Sequence, residues 1–164
     1  MGREKKIYPL AEGLTTADTY AVIGDAQKFQ KHKHAWKVWR TLKEFGCVAY
    51  PIAEDLKRID GCKVYPNLAE LKDKVTVVVP CLLPERLRSL VADVVSAGGT
   101  TIWFQEQTWT PELQQECRSA GIEVIRGCVL RHKVYPSMSL RYLKPCYWHG
   151  LKDTKVPLKR YGRF

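Results

Sequence analysis

The chain has 164 residues, of which 45% are hydrophobic and 27% are charged, which is typical of a globular protein with one domain and an appendage. No apolar run approaches the roughly 20 residues that span a bilayer, and the polar first residues argue against a signal peptide. We therefore expect a cytoplasmic protein without a membrane segment. The six cysteines form no Cys-x-x-Cys pair, which favours reduced thiols over a disulfide framework.

The net charge of +10 lies mostly at the C-terminal end. Residues 131–164 contain nine Lys and Arg side chains and one acidic side chain, whereas residues 1–130 contain eighteen basic and sixteen acidic ones. We therefore divide the chain into an N-terminal segment (1–18), a nearly neutral body (19–129) and a basic C-terminal arm (130–164).

The arm interleaves its cations with six aromatic side chains, and two interpretations follow. In the first interpretation, the arm binds RNA or DNA, with its cations on the phosphates and its aromatics stacked on the bases. Alternatively, it docks its aromatics on its own domain or on a second copy in a homodimer. We favour docking, because six aromatics are costly to expose.

Short β-branched runs alternate with amphipathic stretches along the body, which predicts an α/β fold: a Rossmann-like, doubly wound parallel sheet of about five strands. The strands are expected at Tyr20–Ile23, Cys47–Pro51, Val75–Val79, Thr101–Phe104 and Glu123–Ile125. The helices are expected at Lys33–Phe45, Pro84–Ala97 and Pro111–Ala120, with a short helix near Asn67. The long helices end near Gly46, Gly98 and Gly121, which favours left-handed caps.

The turn after the first strand is rich in cations. Ligands of open parallel sheets bind beyond the carboxyl ends of the strands, and a helix N-terminus there attracts anions. A phosphorylated ligand is therefore one interpretation, and a solvated loop is the alternative; for the two histidines a surface loop is favoured. The basic residues of this turn are Lys28, Lys31, His32, Lys33 and His34.

A nicotinamide dinucleotide fits this turn poorly. The stretch "GDAQKF" has one glycine where the dinucleotide fingerprint has three. The second strand ends at Pro51, where a dinucleotide-binding protein usually offers an acidic residue to the ribose, and Glu54 and Asp55 follow only beyond that proline. A Walker phosphate loop is absent from the sequence.

Several segments together resemble one family. They are "YAVIGDA", "KHAWKVWRTLKEFGCVAYPI", "GCKVYPNLAEL", "VTVVVPCLLPE", "TIWFQEQ" and "AGIEVIRGCV". In order and spacing they are similar to the small stand-alone CoA-binding proteins, whose domain resembles that of succinyl-CoA synthetase alpha subunits. The resemblance implies a Rossmann-like fold that holds CoA, with the pyrophosphate at the first turn and the adenosine end near the turn after the second strand.

Position by position, the resemblance implies a set of CoA-binding residues. With the lysines Lys28 and Lys31 of the first turn, they are Gly24, Asp25, Ala26, Lys33, His34, Ala35, Trp36, Pro51, Ile52, Pro80, Cys81 and Gln105. The chain departs from the family pattern at Ala26, where the family has Ser, and at Ala35, where it has Gly. It also departs after the second strand, where the family's Val-Asn-Pro is Ile52-Ala53-Glu54, and at Gln107, where it has Gly.

Other candidate groups have simpler interpretations. Trp36 and Trp39 are expected to pack in the core instead of stacking on a base. Cys81 and Cys128 fall at carboxyl ends of strands, where a reactive thiol is the alternative interpretation and a buried structural cysteine is favoured. The Cys-x-x-His spacing from Cys146 to His149 supplies at most half a zinc site.

The function predicted from the sequence is binding of CoA or an acyl-CoA, in a non-catalytic or regulatory role. An enzyme is less favoured, because the residues show no recognisable catalytic arrangement. The alternative is a degenerate Rossmann-like domain that acts in protein or nucleic-acid interaction through its basic tail.

Overall fold

The computed structural model describes residues 14–105 and 107–132, and the predicted basic arm lies almost entirely outside them. The strands are β1 (Thr19–Ile23), β2 (Val48–Ile52), β3 (Arg58–Ile59), β4 (Cys62–Lys63), β5 (Val77–Pro80), β6 (Thr101–Phe104) and β7 (Glu123–Arg126). The helices are α1 (Ala26–Gln30), α2 (His34–Glu44), α3 (Leu90–Ser96) and α4 (Pro111–Ser119). Short 3₁₀ turns lie at Leu68–Leu71, Pro84–Arg86 and Val129–His132.

Five strands form one parallel sheet in the order β2-β1-β5-β6-β7. Strand β1 is central to the winding: the chain passes from β1 to β2 on one side and then crosses to β5 on the other. This order is that of a doubly wound fold whose direction reverses between β1 and β5. The predicted Rossmann-like sheet is confirmed.

Both faces of the sheet are covered at its centre, which explains why β1, β5 and β6 read as continuous apolar runs. On one face, Tyr20 and Val22 pack with Trp39 of α2 in a single cluster of buried side chains. On the other face, Val78 and Ile102 pack with residues of α3 and α4 in a second cluster. Burying each large apolar side chain contributes about 1.5–3 kcal/mol, so the two clusters account for most of the stabilisation.

The predicted helix at Pro84–Ala97 is wrong as a single element. Pro84 begins a 3₁₀ turn, the chain then leaves helical geometry, and α3 starts only after Ser89. Both Leu87 and Leu90 are buried in the second cluster, so the chain covers the sheet on both sides of the break. The glycines after the helices have the expected left-handed backbone, with φ of 91° at Gly46, 81° at Gly98 and 73° at Gly121.

One helix and one hairpin are absent from the sequence prediction. Helix α1 occupies the segment that we interpreted as a loop, and its cap is the Asp25 side chain, which accepts from the Lys28 backbone N–H. Strands β3 and β4 form an antiparallel hairpin whose two turn residues, Asp60 and Gly61, both have positive φ. Asp-Gly is the pair that such tight hairpin turns prefer.

The described part of the chain contains no helix that is long and apolar enough to cross a bilayer. None of its five cysteines forms a disulfide. Within the same residues, no group of His, Cys, Asp and Glu side chains is arranged to hold a metal ion. The Cys146–His149 pair and the aromatics of the arm lie outside the described residues.

Candidate functional site

Two adjoining depressions lie at the carboxyl edge of the sheet, where the winding reverses. Cleft A, of about 340 Å³, is bounded by the ends of β1 and β2 and by the segment leading into α3. Cavity B, of about 210 Å³, is bounded by α1, the start of α2 and the turns after β5 and β6. Leu82 lines both, so the two depressions meet beside the turn after β5. This edge is where open α/β sheets bind their ligands.

The first turn depends on a close approach that only glycine permits. A Cβ on Gly24 would lie 2.7 Å from the Cβ of Ala35 and 2.9 Å from the Phe29 ring. The Gly24 N–H also donates to the Ile52 carbonyl at 2.9 Å, which ties the turn to the end of β2. Gly24 therefore lets α2 pack directly on the turn, and Ala35 is the residue that it meets.

The chain's own carboxylates occupy the start of α1. Asp25 accepts from the Lys28 N–H at 2.8 Å, and Asp55 accepts from the Ala26 N–H at 2.8 Å. Asp25 also forms an ion pair with Arg86 at 2.6 Å. These side chains supply the negative charge that a helix N-terminus favours. The Ala26 and Lys28 N–H groups are therefore already hydrogen-bonded within the chain.

The environment of Asp25 favours its ionised form. Partial burial opposes ionisation of the carboxylate, but the Lys28 amide and the Arg86 guanidinium outweigh it, and the pKa of Asp25 lies below its usual value of 3.8. Asp25 is therefore a fixed negative charge at neutral pH. It holds Arg86 against the first turn.

A buried amide organises cavity B. The Gln105 Oε1 accepts from the Val129 N–H at 3.0 Å and lies 3.1 Å from the His34 Nε2, while its Nε2 donates to the Trp103 carbonyl at 3.3 Å. Gln105 is 3% exposed, so these partners satisfy it in place of water. The side chain thus joins the end of β6 to the start of α2 and the segment after β7.

The thiols in the wall of cavity B are buried. Cys81 is 4% exposed and Cys128 is 2% exposed. Burial raises the pKa of the Cys81 thiol, and the nearby Lys28 charge offsets this only in part. Because the thiolate is the nucleophile, Cys81 is kept in its unreactive form at neutral pH. This environment supports the structural interpretation of Cys81.

The structure brings together about half of the residues predicted to bind the ligand. Those that line cleft A are Gly24, Asp25 and Ile52. Those that line cavity B are Lys28, His34, Cys81 and Gln105. The predicted residues that line neither are Ala26, Lys31, Lys33, Ala35, Trp36, Pro51 and Pro80.

The residues that line neither depression have evident structural positions. Lys31 and Lys33 are exposed between α1 and α2. Trp36 lies on α2, where its indole N–H donates to Asp60 at 2.8 Å and its ring stacks on His32 at 3.9 Å. The more buried Trp39 donates to the Ala49 carbonyl at 3.0 Å, as expected of a core residue.

Sequence reasoning missed several lining residues. Arg86 was assigned to a continuous helix, although its place just after β5 and Pro84 suggests a turn facing the ligand edge. Glu54 and Asp55 were set aside because Pro51 precedes them, yet Pro51 lies inside β2, paired with Val22, and both acidic side chains line cleft A. The remaining polar or charged lining residues that were not predicted to bind are Asn67, Ser89, Asp93, Gln107 and Thr108.

Similar structures share this fold. A protein called Prb, redesigned for binding, is 26% identical with a TM-score of 0.63, over 70% of this chain and 80% of that one. A hypothetical protein from Pyrococcus horikoshii is 25% identical with a TM-score of 0.59, over 69% and 84%. The dinucleotide-forming acetyl-coenzyme A synthetase 1 of Ca. Korarchaeum cryptofilum is alike in fold, at 23% identity and a TM-score of 0.56, over 65% of this chain and 25% of that one.

The family comparison agrees with the resemblance read from the sequence. A family model described as a CoA binding domain matches residues 18–133, which is well over half of the chain and includes every strand of the parallel sheet. Cleft A and cavity B both lie within this span. The chain therefore belongs to the CoA-binding domain family.

Proposed function

We propose that this protein binds CoA or an acyl-CoA along cleft A and cavity B, as a non-catalytic carrier or regulator. The observation that carries the proposal is the family match over residues 18–133. Its support in the structure is the pair of adjoining depressions at the edge where the winding reverses. A long, thin ligand of the CoA type fits such a divided site better than a compact one does.

The order of the ligand's parts follows from the lining. The adenosine end belongs in cleft A, beside the end of β2, in line with what the resemblance implies. The pantetheine and acyl end belongs in cavity B, whose wall mixes the apolar Leu82 and Leu83 with the polar Gln105 and Thr108. The pyrophosphate then crosses the first turn between them.

The favourable side of that turn for phosphate is the one facing cavity B. Lys28 and His34 line it, and α2, an eleven-residue helix, begins at His34 with no side-chain cap from Lys33. The positive end of α2 and the Lys28 ammonium therefore both act on an anion at this place. The start of α1, by contrast, is occupied by Asp25 and Asp55.

Titration calorimetry with CoA, acetyl-CoA, ADP and NAD tests the proposal. We expect CoA or acetyl-CoA to bind more tightly than NAD does. Lys28→Gln is expected to weaken binding by about threefold to tenfold, because it removes one charge near the phosphates. Lys37→Gln is the matched control, since Lys37 is exposed on α2 and lines neither depression.

Two results oppose the proposal. Tighter binding of NAD than of CoA assigns the edge to a different nucleotide. A complete lack of nucleotide binding favours the degenerate domain that works through protein or nucleic-acid contacts of its arm. That alternative depends on residues 133–164, which lie outside the described part of the chain.

A further inference from the structure

Cleft A is acidic, which is unusual for a cleft that is to receive a phosphorylated ribose. The one cationic residue among those lining it is Arg86. Arg86 is already paired with Asp25 at 2.6 Å. The lining carboxylates are Asp25, Glu54, Asp55 and Asp93. Three acidic side chains therefore face the cleft without a cation from its own wall.

Two of these carboxylates lie where the ribose is expected. Glu54 and Asp55 follow β2 by two and three residues, and β2 is the direct neighbour of β1 in the sheet. The 2.8 Å bond from the Ala26 N–H holds Asp55 beside the first turn. In doubly wound folds an acidic residue near this place accepts hydrogen bonds from free ribose hydroxyls, whereas a ribose phosphate calls for an arginine.

We propose that cleft A selects nucleotides whose adenosine ribose carries free hydroxyls, so that dephospho-CoA binds more tightly than CoA. The inference rests on the proposed function, since it concerns the adenosine end of the same ligand. A carboxylate is an acceptor only, and it suits a hydroxyl donor. A 3′-phosphate, which carries nearly two negative charges at neutral pH, is repelled by Glu54 and Asp55.

The decisive comparison uses the full-length protein and two ligands that differ only in the 3′-phosphate. Titration calorimetry at low salt is expected to give a dissociation constant about tenfold lower for dephospho-CoA than for CoA. Because both carboxylates are exposed, the ratio of the CoA dissociation constant to the dephospho-CoA dissociation constant should decrease as ionic strength rises. AMP compared with adenosine 3′,5′-bisphosphate, which differ only in the 3′-phosphate, repeats the test without the pantetheine.

Glu54→Gln removes one charge from the lining of cleft A and keeps the size of the side chain. Because CoA should then bind more tightly, we expect the ratio of the CoA to the dephospho-CoA dissociation constant to fall about threefold. Glu116→Gln removes an exposed charge on α4, outside cleft A, and should leave the ratio unchanged. Circular dichroism verifies that both variants are folded.

The outcomes separate this inference from the proposed function. If CoA binds as tightly as dephospho-CoA or more tightly, the selectivity is refuted while CoA binding stands. If the ratio favours dephospho-CoA but is the same in Glu54→Gln and at high salt, the carboxylates are not its cause and the inference is again refuted. If none of the adenine nucleotides binds, both proposals fall together.

Discussion

Replacing Gly24 by alanine tests whether the first turn depends on direct contact with α2. The added Cβ would lie 2.7 Å from the Ala35 Cβ and 2.9 Å from the Phe29 ring, whereas carbon atoms in contact normally stay about 3.5–4.0 Å apart. Relieving an overlap of nearly 1 Å requires α2 or the Phe29 ring to shift inside a packed core. Such overpacking costs about 1–3 kcal/mol.

The alanine also lowers the conformational entropy of the unfolded chain, which stabilises the folded state by about 0.4–1 kcal/mol. We therefore expect Gly24→Ala to lower the free energy of unfolding by about 1–2 kcal/mol, and the melting temperature by ~2–8 °C for a chain of this size. Urea denaturation with a slope unchanged from wild type is the measurement of choice.

A double-mutant cycle identifies the contact responsible. Ala35→Gly alone should cost about 1 kcal/mol, because glycine is a poor helix former. Combined with Gly24→Ala it removes the atom at 2.7 Å, so the pair should cost at least 0.5 kcal/mol less than the sum of the two single changes. Rescue is partial, since the Phe29 contact remains. Additive effects, or a Gly24→Ala protein as stable as wild type, would refute the reasoning.

Three further predictions concern the edge of the sheet. Asp25→Ala should lower the free energy of unfolding by about 1 kcal/mol at pH 7, because it removes the α1 cap. The folded-state pKa of Asp25 is lowered, so its stabilisation is present above the unfolded pKa of 3.8 and is lost as pH falls below that value. In acid titrations of stability the difference between variant and wild type should therefore narrow, and a constant difference would contradict this. Gln105→Leu should cost about 1–3 kcal/mol in urea denaturation, because it leaves the buried Val129 N–H without its acceptor, and an unchanged free energy of unfolding would contradict this expectation. Iodoacetamide at pH 8 should label the half-buried Cys62 well before Cys81 in peptide mapping by mass spectrometry, and equal rates would argue against a protected Cys81.

The sheet was predictable because its signal is local. Each predicted strand overlaps an observed one, with ends that differ by at most two residues. The central strands β1, β5 and β6 are buried on both faces and therefore read as apolar runs, whereas the short edge strands β2 and β7 are only partly buried. Gly46 and Gly121 indicated where α2 and α4 end, and Pro111 indicated where α4 begins, because glycine and proline mark helix ends locally. Signals of this kind depend on a residue and its immediate neighbours.

The elements that were missed depend on contacts between distant segments. The break between Leu87 and Leu90 is invisible in a helical pattern, because both side chains are apolar at a helix-compatible spacing. Helix α1 spans only five residues, and part of its stability comes from Asp55, twenty-nine positions away along the chain. The hairpin at Asp60 and Gly61 did carry a local signal, the Asp-Gly pair, that sequence reasoning overlooked.

The charges of the site also separate into those that are evident along the chain and those that only the fold brings together. Along the chain, the lysines of the first turn form a conspicuous run, and counting them predicts a cationic site. In the fold, Lys31 and Lys33 are exposed and line neither depression, whereas carboxylates from separate segments converge on cleft A. Asp25 comes from the β1 turn, Glu54 and Asp55 from the end of β2, and Asp93 from α3. Because position in the fold, and not order along the chain, sets which charges surround a ligand, cleft A is lined mainly by carboxylates, whereas Lys28 and His34 line cavity B. The family fold therefore supplies the edge, and under our proposal the acidic residues after β2 determine which adenine nucleotide binds there.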